Sequence, residues 1–248
     1  MSLARKWGVL RSLAIYYGQP TKASRMRRFY AQFISEGDLC IDVGAHVGNR
    51  VRAWRSLGAR VIAIDPQPAM VDTLSRLFGR DESVVVLPVG LSDEPGVLTL
   101  HVNTKNPTIS SFSTEWVDAF STGGGLASTP YDAEVEVEVS TLDAVIGGHG
   151  RPVFCKIDVE GLEDRVLRGL SLAIPVLSFE AFPLEVERSL ACIDRLMELG
   201  DYRFRSVRGE QFRWVEPDWL DADAMRARLT RWTLAEGSGD VYAKIHSM

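Results

Sequence analysis

The most constraining feature of this sequence is an apolar run that ends in Asp-x-Gly, over residues 39–49, followed by a second apolar run that ends in an acid, over 61–66. This order predicts a strand, a glycine turn that opens a helix, and a second strand. Glycine lets the backbone approach a ligand where a Cβ would collide, and a helix start has free N–H groups. Asp65 lies 21 residues after Gly44, so it is placed to accept hydrogen bonds from ribose hydroxyls. The unit predicts a site for an adenosine-containing cofactor, although a strand-turn-helix corner without a ligand has the same pattern.

The spacing of the glycines distinguishes between such cofactors. Dinucleotide-binding turns read G-x-G-x-x-G because a pyrophosphate lies against the helix N-terminus. Here the turn reads G-A-H-V-G, and Asp42 stands two residues before its first glycine. An acid at the end of the first strand repels a pyrophosphate but suits a cofactor with a positively charged amino group. S-adenosylmethionine (SAM) carries an ammonium and a sulfonium, so SAM is favoured over a dinucleotide.

The composition is that of a globular α/β protein. The chain has 248 residues, of which 46% are hydrophobic and 25% are charged, and both fractions are ordinary for soluble domains. No apolar stretch reaches the ~20 residues that span a bilayer, and Arg11 interrupts the only apolar segment near the N-terminus. The three cysteines and four histidines show no metal-binding spacing. We therefore expect a cytoplasmic protein with no stable membrane insertion and no metal site.

Charge is distributed unevenly along the chain. The first acidic residue is Glu36, and seven basic residues precede it. We interpret residues 1–36 as a helical lid segment and 37–248 as the catalytic domain. The basic helices could serve an anionic substrate or a membrane surface, or could be a solvated helix face. Nucleic-acid binding is not expected, because the net charge of the whole chain is −5.

The remaining pattern alternates strands with helices, which predicts a mostly parallel sheet covered on both faces. Strand 134–140 alternates Glu and Val, so we expect it at an edge or outside the main sheet. Residues 103–131 form a long segment of low periodicity, which we interpret as a second lid. Towards the C-terminus we predict a short strand over 211–215, a helix over 217–236 and a last strand over 240–246.

A second informative segment contains Lys156, Asp158 and Glu160. Side chains alternate along a strand, so these three share one face. Charges on a buried parallel strand are costly unless they are paired or bind a ligand. Ligands of open α/β sheets bind beyond the carboxyl ends of the strands, so we expect Asp42 and Asp158 to face the same cavity. Glu180 ends the following strand.

These carboxylates have a chemical and a structural interpretation. In the chemical one, Asp158 or Glu160 orients or deprotonates a substrate hydroxyl and Glu180 assists. In the structural one, Lys156 forms an ion pair with Asp158 or Asp42, Glu160 caps the next helix, and Glu180 is a strand end in water. A magnesium ion at these carboxylates is a minor hypothesis that we do not expect to hold.

Residues 41–49 and 156–163 together resemble the two signature blocks of the FkbM family of SAM-dependent methyltransferases. Supporting matches are Asp65-Pro66, the segment 90–93 and the segment 140–143. The resemblance implies a Rossmann-like class I methyltransferase fold, with a seven-stranded mostly parallel sheet, an antiparallel last strand and helices on both faces. It also implies O-methylation of a hydroxyl on a sugar or another natural-product scaffold.

The resemblance further implies which residues bind SAM. The methionine and ribose side would involve Asp42, Gly44 and Ala45, while Asp65 would bind the ribose. His46 stands where the family often has Asn, so its role is open, and Asp65 stands where the family often has Glu. The complete predicted set is Asp42, Gly44, Ala45, His46, Gly48, Asn49, Asp65, Pro66, Gly90, Leu91, Ser92 and Asp158, of which the segment 90–92 would contact adenine.

Two other functions are compatible with parts of the sequence. A nicotinamide-dependent oxidoreductase would use a similar strand-turn-helix unit, but it is disfavoured by the glycine spacing and by Asp42. A non-catalytic binding protein could retain the fold without the chemistry. The sequence identifies neither the small-molecule hydroxyl acceptor nor the oligomeric state, which leaves a homodimer open.

Overall fold

The computed structural model describes residues 3–103, 110–113 and 131–246. Within them lie the strands β1 (Leu39–Val43), β2 (Arg60–Ile64), β3 (Val84–Leu87), β4 (Gly90–Leu91), β5 (Gly96–Val102), β6 (Ala133–Ser140), β7 (Phe154–Ile157), β8 (Val176–Ala181), β9 (Tyr202–Arg208) and β10 (Gly239–Ile245). The helices are α1 (Leu3–Tyr17), α2 (Pro20–Tyr30), α3 (Asn49–Arg55), α4 (Pro68–Phe78), α5 (Leu142–His149), α6 (Glu163–Arg168), α7 (Val186–Leu199) and α8 (Ala222–Thr230).

Seven of these strands form one sheet in the order β3-β2-β1-β7-β8-β10-β9. The first five are parallel to one another, and β10 is antiparallel to both β8 and β9. The strand order reverses between β1 and β7, which is where open α/β sheets bind ligands. This topology is the class I methyltransferase fold, and it confirms the predicted sheet with its antiparallel last strand.

Helices cover both faces of the sheet. Strand β1 alternates its side chains, so that Ile41 packs into the core formed with α5 to α8 and Cys40 packs into the core formed with α2 and α3. On the α2 side the largest buried aromatic residues are Tyr30, Trp54 and Tyr242. Helix α2 is therefore part of the packed domain, because its apolar face completes one of the two cores.

Three predictions outside the main sheet had different outcomes. Strand β6 lies in a separate three-stranded sheet with β4 and β5, as the alternation of Glu and Val predicted. The predicted strand over 211–215 was wrong, since Trp214 forms only an isolated bridge to Val207. The predicted helix over 217–236 is limited to α8, because Leu220 exchanges two 2.8 Å backbone hydrogen bonds with Phe204 before the helix begins.

Most of the predicted second lid, 104–109 and 114–130, lies outside the described residues. Among the helices that are described, none has the length and apolar character needed to cross a membrane.

Candidate functional site

A cleft opens at the carboxyl ends of β1, β2 and β7, at the reversal of strand order. The space between its walls is about 730 Å³, counting the open solvent at its mouth. Both sequence segments that predicted a site contribute to its walls, and the lining includes Gly44, His46, Asn49, Asp65, Pro66, Gly90, Leu91, Asp158 and Glu160.

The glycine turn after β1 allows two close approaches. Gly44 has φ 83°, and a Cβ at this position would overlap the carbonyl oxygen of Asp158 at the end of β7. Gly48 has φ 77° and caps α3, where a Cβ would lie 2.5 Å from the ring of Phe78. The first glycine therefore brings the ends of the two central strands together, and the second allows α3 to begin against α4.

Asp65 holds the glycine turn in place. Its carboxylate accepts hydrogen bonds from the backbone N–H of His46 (2.8 Å) and of Gln67 (2.9 Å). The side chain is 2% exposed, and burial raises the pKa of Asp65 to about 7, although these two hydrogen bonds oppose the rise. Each carboxylate oxygen has a second lone pair, so Asp65 can accept further hydrogen bonds from a ligand in the cleft.

Helix α1 covers the outer side of the turn. Tyr17 donates a 2.8 Å hydrogen bond to the carbonyl of Val47, and Ser12 Oγ lies 3.3 Å from His46 Nε2. Tyr16 contacts the His46 ring edge to face at 5.6 Å and also lines the cleft. Burial lowers the pKa of His46 to about 4, so the imidazole is neutral at physiological pH.

A network of charges lies beneath the cleft. Lys156 is fully buried, and its Nζ lies 2.7 Å from Asp240 Oδ1 and 3.2 Å from Asp158 Oδ2. Arg50 lies 3.5 Å from the same Asp158 oxygen. Asp42 is 1% exposed and has no hydrogen-bond partner among the residues that the structure describes. Burial raises its pKa to about 6, while the charges of Arg50 and Lys156 oppose the rise.

Asp158 is the ionised member of a cluster of three carboxylates. One oxygen each of Asp158, Glu160 and Glu180 lies within 4.8 Å of the others. Burial raises the pKa of Asp158, but Lys156, Arg50 and a hydrogen bond with Glu180 outweigh it, so the pKa falls below its usual range. Burial and the charge of Asp158 hold the pKa values of Glu160 and Glu180 well above their usual range. The cluster thus combines a carboxylate whose charged form is favoured with two acids whose protonated forms are favoured.

The same cluster could hold a hard cation through its oxygens. Lys156 and Arg50 already place positive charge against Asp158, and Glu180 shares a hydrogen bond with it. The three carboxyl groups are therefore as well suited to exchange a proton with a substrate as to bind a metal ion.

A family model described as the methyltransferase FkbM domain matches residues 42–204, which are 163 of the 248 residues. The match begins at Asp42 and includes both the cofactor turn and the acidic cluster. The chain belongs to the FkbM methyltransferase family. A search of curated proteins gave no match.

Solved structures that resemble this FkbM domain share little sequence with it. Precorrin-8w decarboxylase from Methanobacterium thermoautotrophicum is 14% identical, with a TM-score of 0.44 and coverage of 89% of both chains. A putative RNA methyltransferase from Pyrococcus horikoshii is 12% identical, with a TM-score of 0.44 and coverage of 91% of this chain and 83% of that one. A TehB-like SAM-dependent methyltransferase from Corynebacterium glutamicum is 10% identical, with a TM-score of 0.47 and coverage of 95% and 94%. Sequence and structural similarity at this level gives no information on the methyl acceptor of this protein.

Within the FkbM domain, four predicted cofactor residues lie away from the cleft lining. Asp42 is buried below it, so it does not share the surface of Asp158 as we expected. Ala45 is packed in the core and Gly48 caps α3. Ser92 is buried and donates its hydroxyl hydrogen to Asp93 at 2.8 Å. Their roles in cofactor binding remain predictions.

The structural alternatives for the charged strand have mixed outcomes. Lys156 pairs with Asp158, as one alternative stated, but the carboxylate closest to it is Asp240 rather than Asp42. The loop before α6 is held by Glu163, whose Oε1 accepts hydrogen bonds from the N–H groups of residues 159 and 161. Glu160, which was the predicted cap, instead lines the cleft, and its backbone φ is 55°.

Sequence reasoning did not identify Arg50, Tyr16 or Asp240 as members of the site. In the sequence, Arg50 cannot be distinguished from any other charged residue of a helix, and Tyr16 is one of several aromatic residues of α1. The signal for Asp240 was present, since it is the only charged residue in the apolar segment 239–243. A charge inside a predicted buried strand requires a partner, and Lys156 is such a partner.

Proposed function

We propose that this protein is an S-adenosylmethionine-dependent O-methyltransferase that acts on a hydroxyl of a small molecule, such as a sugar, a glycoside or a natural-product scaffold. The observation that carries the proposal is the position of Asp158 and Glu160. They line the same cleft as the glycine turn and Asp65, so an acceptor hydroxyl held by them would lie beside a nucleoside bound at Asp65.

The cleft has groups that suit each part of SAM. Asn49 is 7% exposed, and its Nδ2 is buried without a hydrogen-bond partner among the described residues; it can donate to the carboxylate of the methionine part. Asp65 can accept from the ribose hydroxyls. Gly90, Leu100 and Phe112 supply an apolar wall for adenine. Bound SAM would supply an electrophilic methyl group on its sulfonium.

The protein's own residues would position and deprotonate the acceptor. Holding a hydroxyl oxygen in line and in contact with the reacting carbon lowers the barrier by up to about 7–11 kcal/mol. Asp158 is ionised by Lys156 and Arg50, so it can accept the hydroxyl proton. Burial and the charge of Asp158 raise the pKa of Glu160 and so favour its protonated form, which can donate a hydrogen bond that orients the acceptor.

Calorimetry with S-adenosylhomocysteine (SAH), SAM, NAD and NADP tests the cofactor. We expect binding of SAH and SAM and none of the dinucleotides, because the turn lacks the pyrophosphate spacing. Binding of NAD alone would establish the oxidoreductase alternative. Mass spectrometry of the purified protein provides an independent test, since SAH is expected to copurify.

A Glu160→Ala variant tests the role of Glu160 once an acceptor has been found by screening hydroxylated compounds. We expect kcat to fall by about 10–10²-fold, because the acceptor loses the hydrogen bond that orients it, while SAH affinity is retained. Glu138→Ala is the matched control, because Glu138 is exposed on β6 outside the cleft. Unchanged kcat in Glu160→Ala would remove Glu160 from the mechanism, and full biological activity without any methyl transfer would favour a binding protein.

A further inference from the structure

An open groove lies between helix α2 and residues 211–217, and its space is about 1330 Å³ when the open solvent at its mouth is counted. Four arginines line it: Arg25 and Arg28 from α2, Arg205 from β9, and Arg213. Arg25, Arg28 and Arg213 are exposed. None of these three takes part in an ion pair found in the described parts of the chain. The groove therefore carries positive charge that its own walls do not neutralise.

The carboxylate in the groove lining, Glu216, is already engaged. It is 7% exposed, and its two oxygens accept hydrogen bonds from the N–H and the hydroxyl of Ser206, at 2.6 and 2.7 Å. It also lies 3.6 Å from Arg228, outside the groove. Glu216 is therefore held in the interior and cannot pair with the exposed arginines.

Arg205 gives the groove a fixed floor. Its guanidinium lies over the ring of Trp214, 4.5 Å from the centroid, and its Nη2 donates to the carbonyls of Glu216 and Pro217 at 2.5 and 2.9 Å. Burial lowers the pKa of Arg205, while Glu216 and Asp218 oppose that change. Carbonyl partners orient the guanidinium without cancelling its charge, so the floor remains positive.

The groove begins close to the mouth of the cleft. Lys22, in the first turn of α2, pairs with Glu210 and lies 5.3 Å from the centroid of the Tyr16 ring. Tyr16 lines the cleft. Arg28 is six residues further along α2, or about 9 Å at the rise of an α-helix. Lys22 therefore links the two sites: it contacts the cleft lining at Tyr16 and, through Glu210, the residue before Gln211 of the groove lining.

We propose that this groove binds a phosphate group of the methyl acceptor, remote from the hydroxyl that is methylated. This inference rests on the proposed function, which supplies the acceptor. Guanidinium groups bind phosphate through paired, charge-assisted hydrogen bonds. Three exposed and unpaired guanidiniums suit a doubly charged group better than a single carboxylate. The net charge of the chain is −5, so the positive potential is local to the groove, which disfavours a long nucleic-acid strand.

Calorimetric titration with pyrophosphate tests the site directly. We expect the wild-type protein to bind it, and an Arg25→Gln/Arg28→Gln variant to bind it about tenfold more weakly or worse, because two charge-assisted contacts are lost. The matched control is Arg76→Gln/Arg80→Gln, which removes the same charge from exposed positions at the end of α4. The control is expected to bind like the wild type.

Parallel titrations separate this proposal from the others. SAH should bind equally to all three proteins; a wild type that binds pyrophosphate but not SAH would refute the cofactor assignment and leave the groove intact. Three outcomes would overturn the phosphate site: no pyrophosphate binding by the wild type, equal weakening in the control, or malonate binding as tightly as pyrophosphate. A ribo-oligonucleotide that stays bound at about 0.15 M salt, where pyrophosphate does not, would replace it with a nucleic-acid surface.

Discussion

Replacing Lys156 by Met tests how the charges beneath the cleft are balanced. Methionine retains an unbranched apolar side chain but removes the ammonium that lies 2.7 Å from Asp240 and 3.2 Å from Asp158. Arg50, at 3.5 Å from Asp158, would be the remaining cation in contact with that carboxylate among the described residues. Asp240 would lose the partner that compensates its burial.

The expected cost follows from the burial of this network. Lys156 is 0% exposed and Asp240 is 6% exposed. Removing one partner of a buried ion pair costs about 3–5 kcal/mol because it leaves an uncompensated charge. That is a large part of the 5–15 kcal/mol by which a typical domain is stable. For a chain of this size it corresponds to a fall in Tm of about 6–20 °C.

The loss should depend on pH in a defined direction. Without the ammonium, burial raises the pKa of Asp158 above that of the unfolded chain, about 3.9, because the charge of Lys156 is the largest effect that opposes burial there. The folded variant then holds a proton that the unfolded chain releases above that pH. The free energy of unfolding of the variant therefore falls, relative to wild type, as pH rises from about 5 to about 8. Thermal unfolding at both pH values measures this difference.

Two further variants make the result interpretable. Lys244→Met removes an exposed lysine of β10 and should change the free energy of unfolding by less than about 1 kcal/mol. Lys156→Met/Asp240→Asn removes both charges and should recover part of the lost stability. A loss in Lys156→Met no larger than in the Lys244→Met control, or a loss that is the same at both pH values, would refute this account of the network.

Three other perturbations have outcomes that follow from the geometry. Gly44→Ala should abolish SAH binding in calorimetry, because its Cβ would overlap the carbonyl of Asp158. The control is Gly37→Ala, at a glycine with a similar φ of 84° in open space, and it should lose only about 1–2 kcal/mol of stability. Equal SAH affinity in both variants would contradict the argument. Burial raises the pKa of Asp65 to about 7, so the stability of wild type relative to Asp65→Asn should fall as pH rises from about 4 to 7, and a flat difference in denaturant titrations would count against it. His46→Asn should leave the pH profile of kcat/KM unchanged from about pH 6 to 8, because burial holds the pKa of His46 near 4; a lost limb in that range would assign proton transfer to His46.

Local sequence was sufficient for the elements that interact with their own neighbours in the chain. The glycine turn, the acid that ends β2 and the alternation of β6 were predicted because each depends on a few consecutive residues and on the two-residue period of a strand. The seven-stranded, mostly parallel sheet and its antiparallel last strand followed from the family resemblance, and the observed sheet confirms them. The prediction of a strand over 211–215 was wrong because a short alternation of polar and apolar residues does not specify whether a neighbouring strand will pair with it.

The charge balance and the groove were decided only by the tertiary structure. Lys156 and Asp240 are 84 residues apart, and the arginines of α2 meet residues 205 and 213 from the opposite end of the chain. Sequence supplies the charges, but a buried charge is stabilised by whichever partner the packed strands bring within contact distance. The sequence by itself therefore determined that a cofactor turn and an acidic strand exist. Folding decided that Asp42 lies below the cleft, that Asp158 is ionised, and that a basic groove opens beside it.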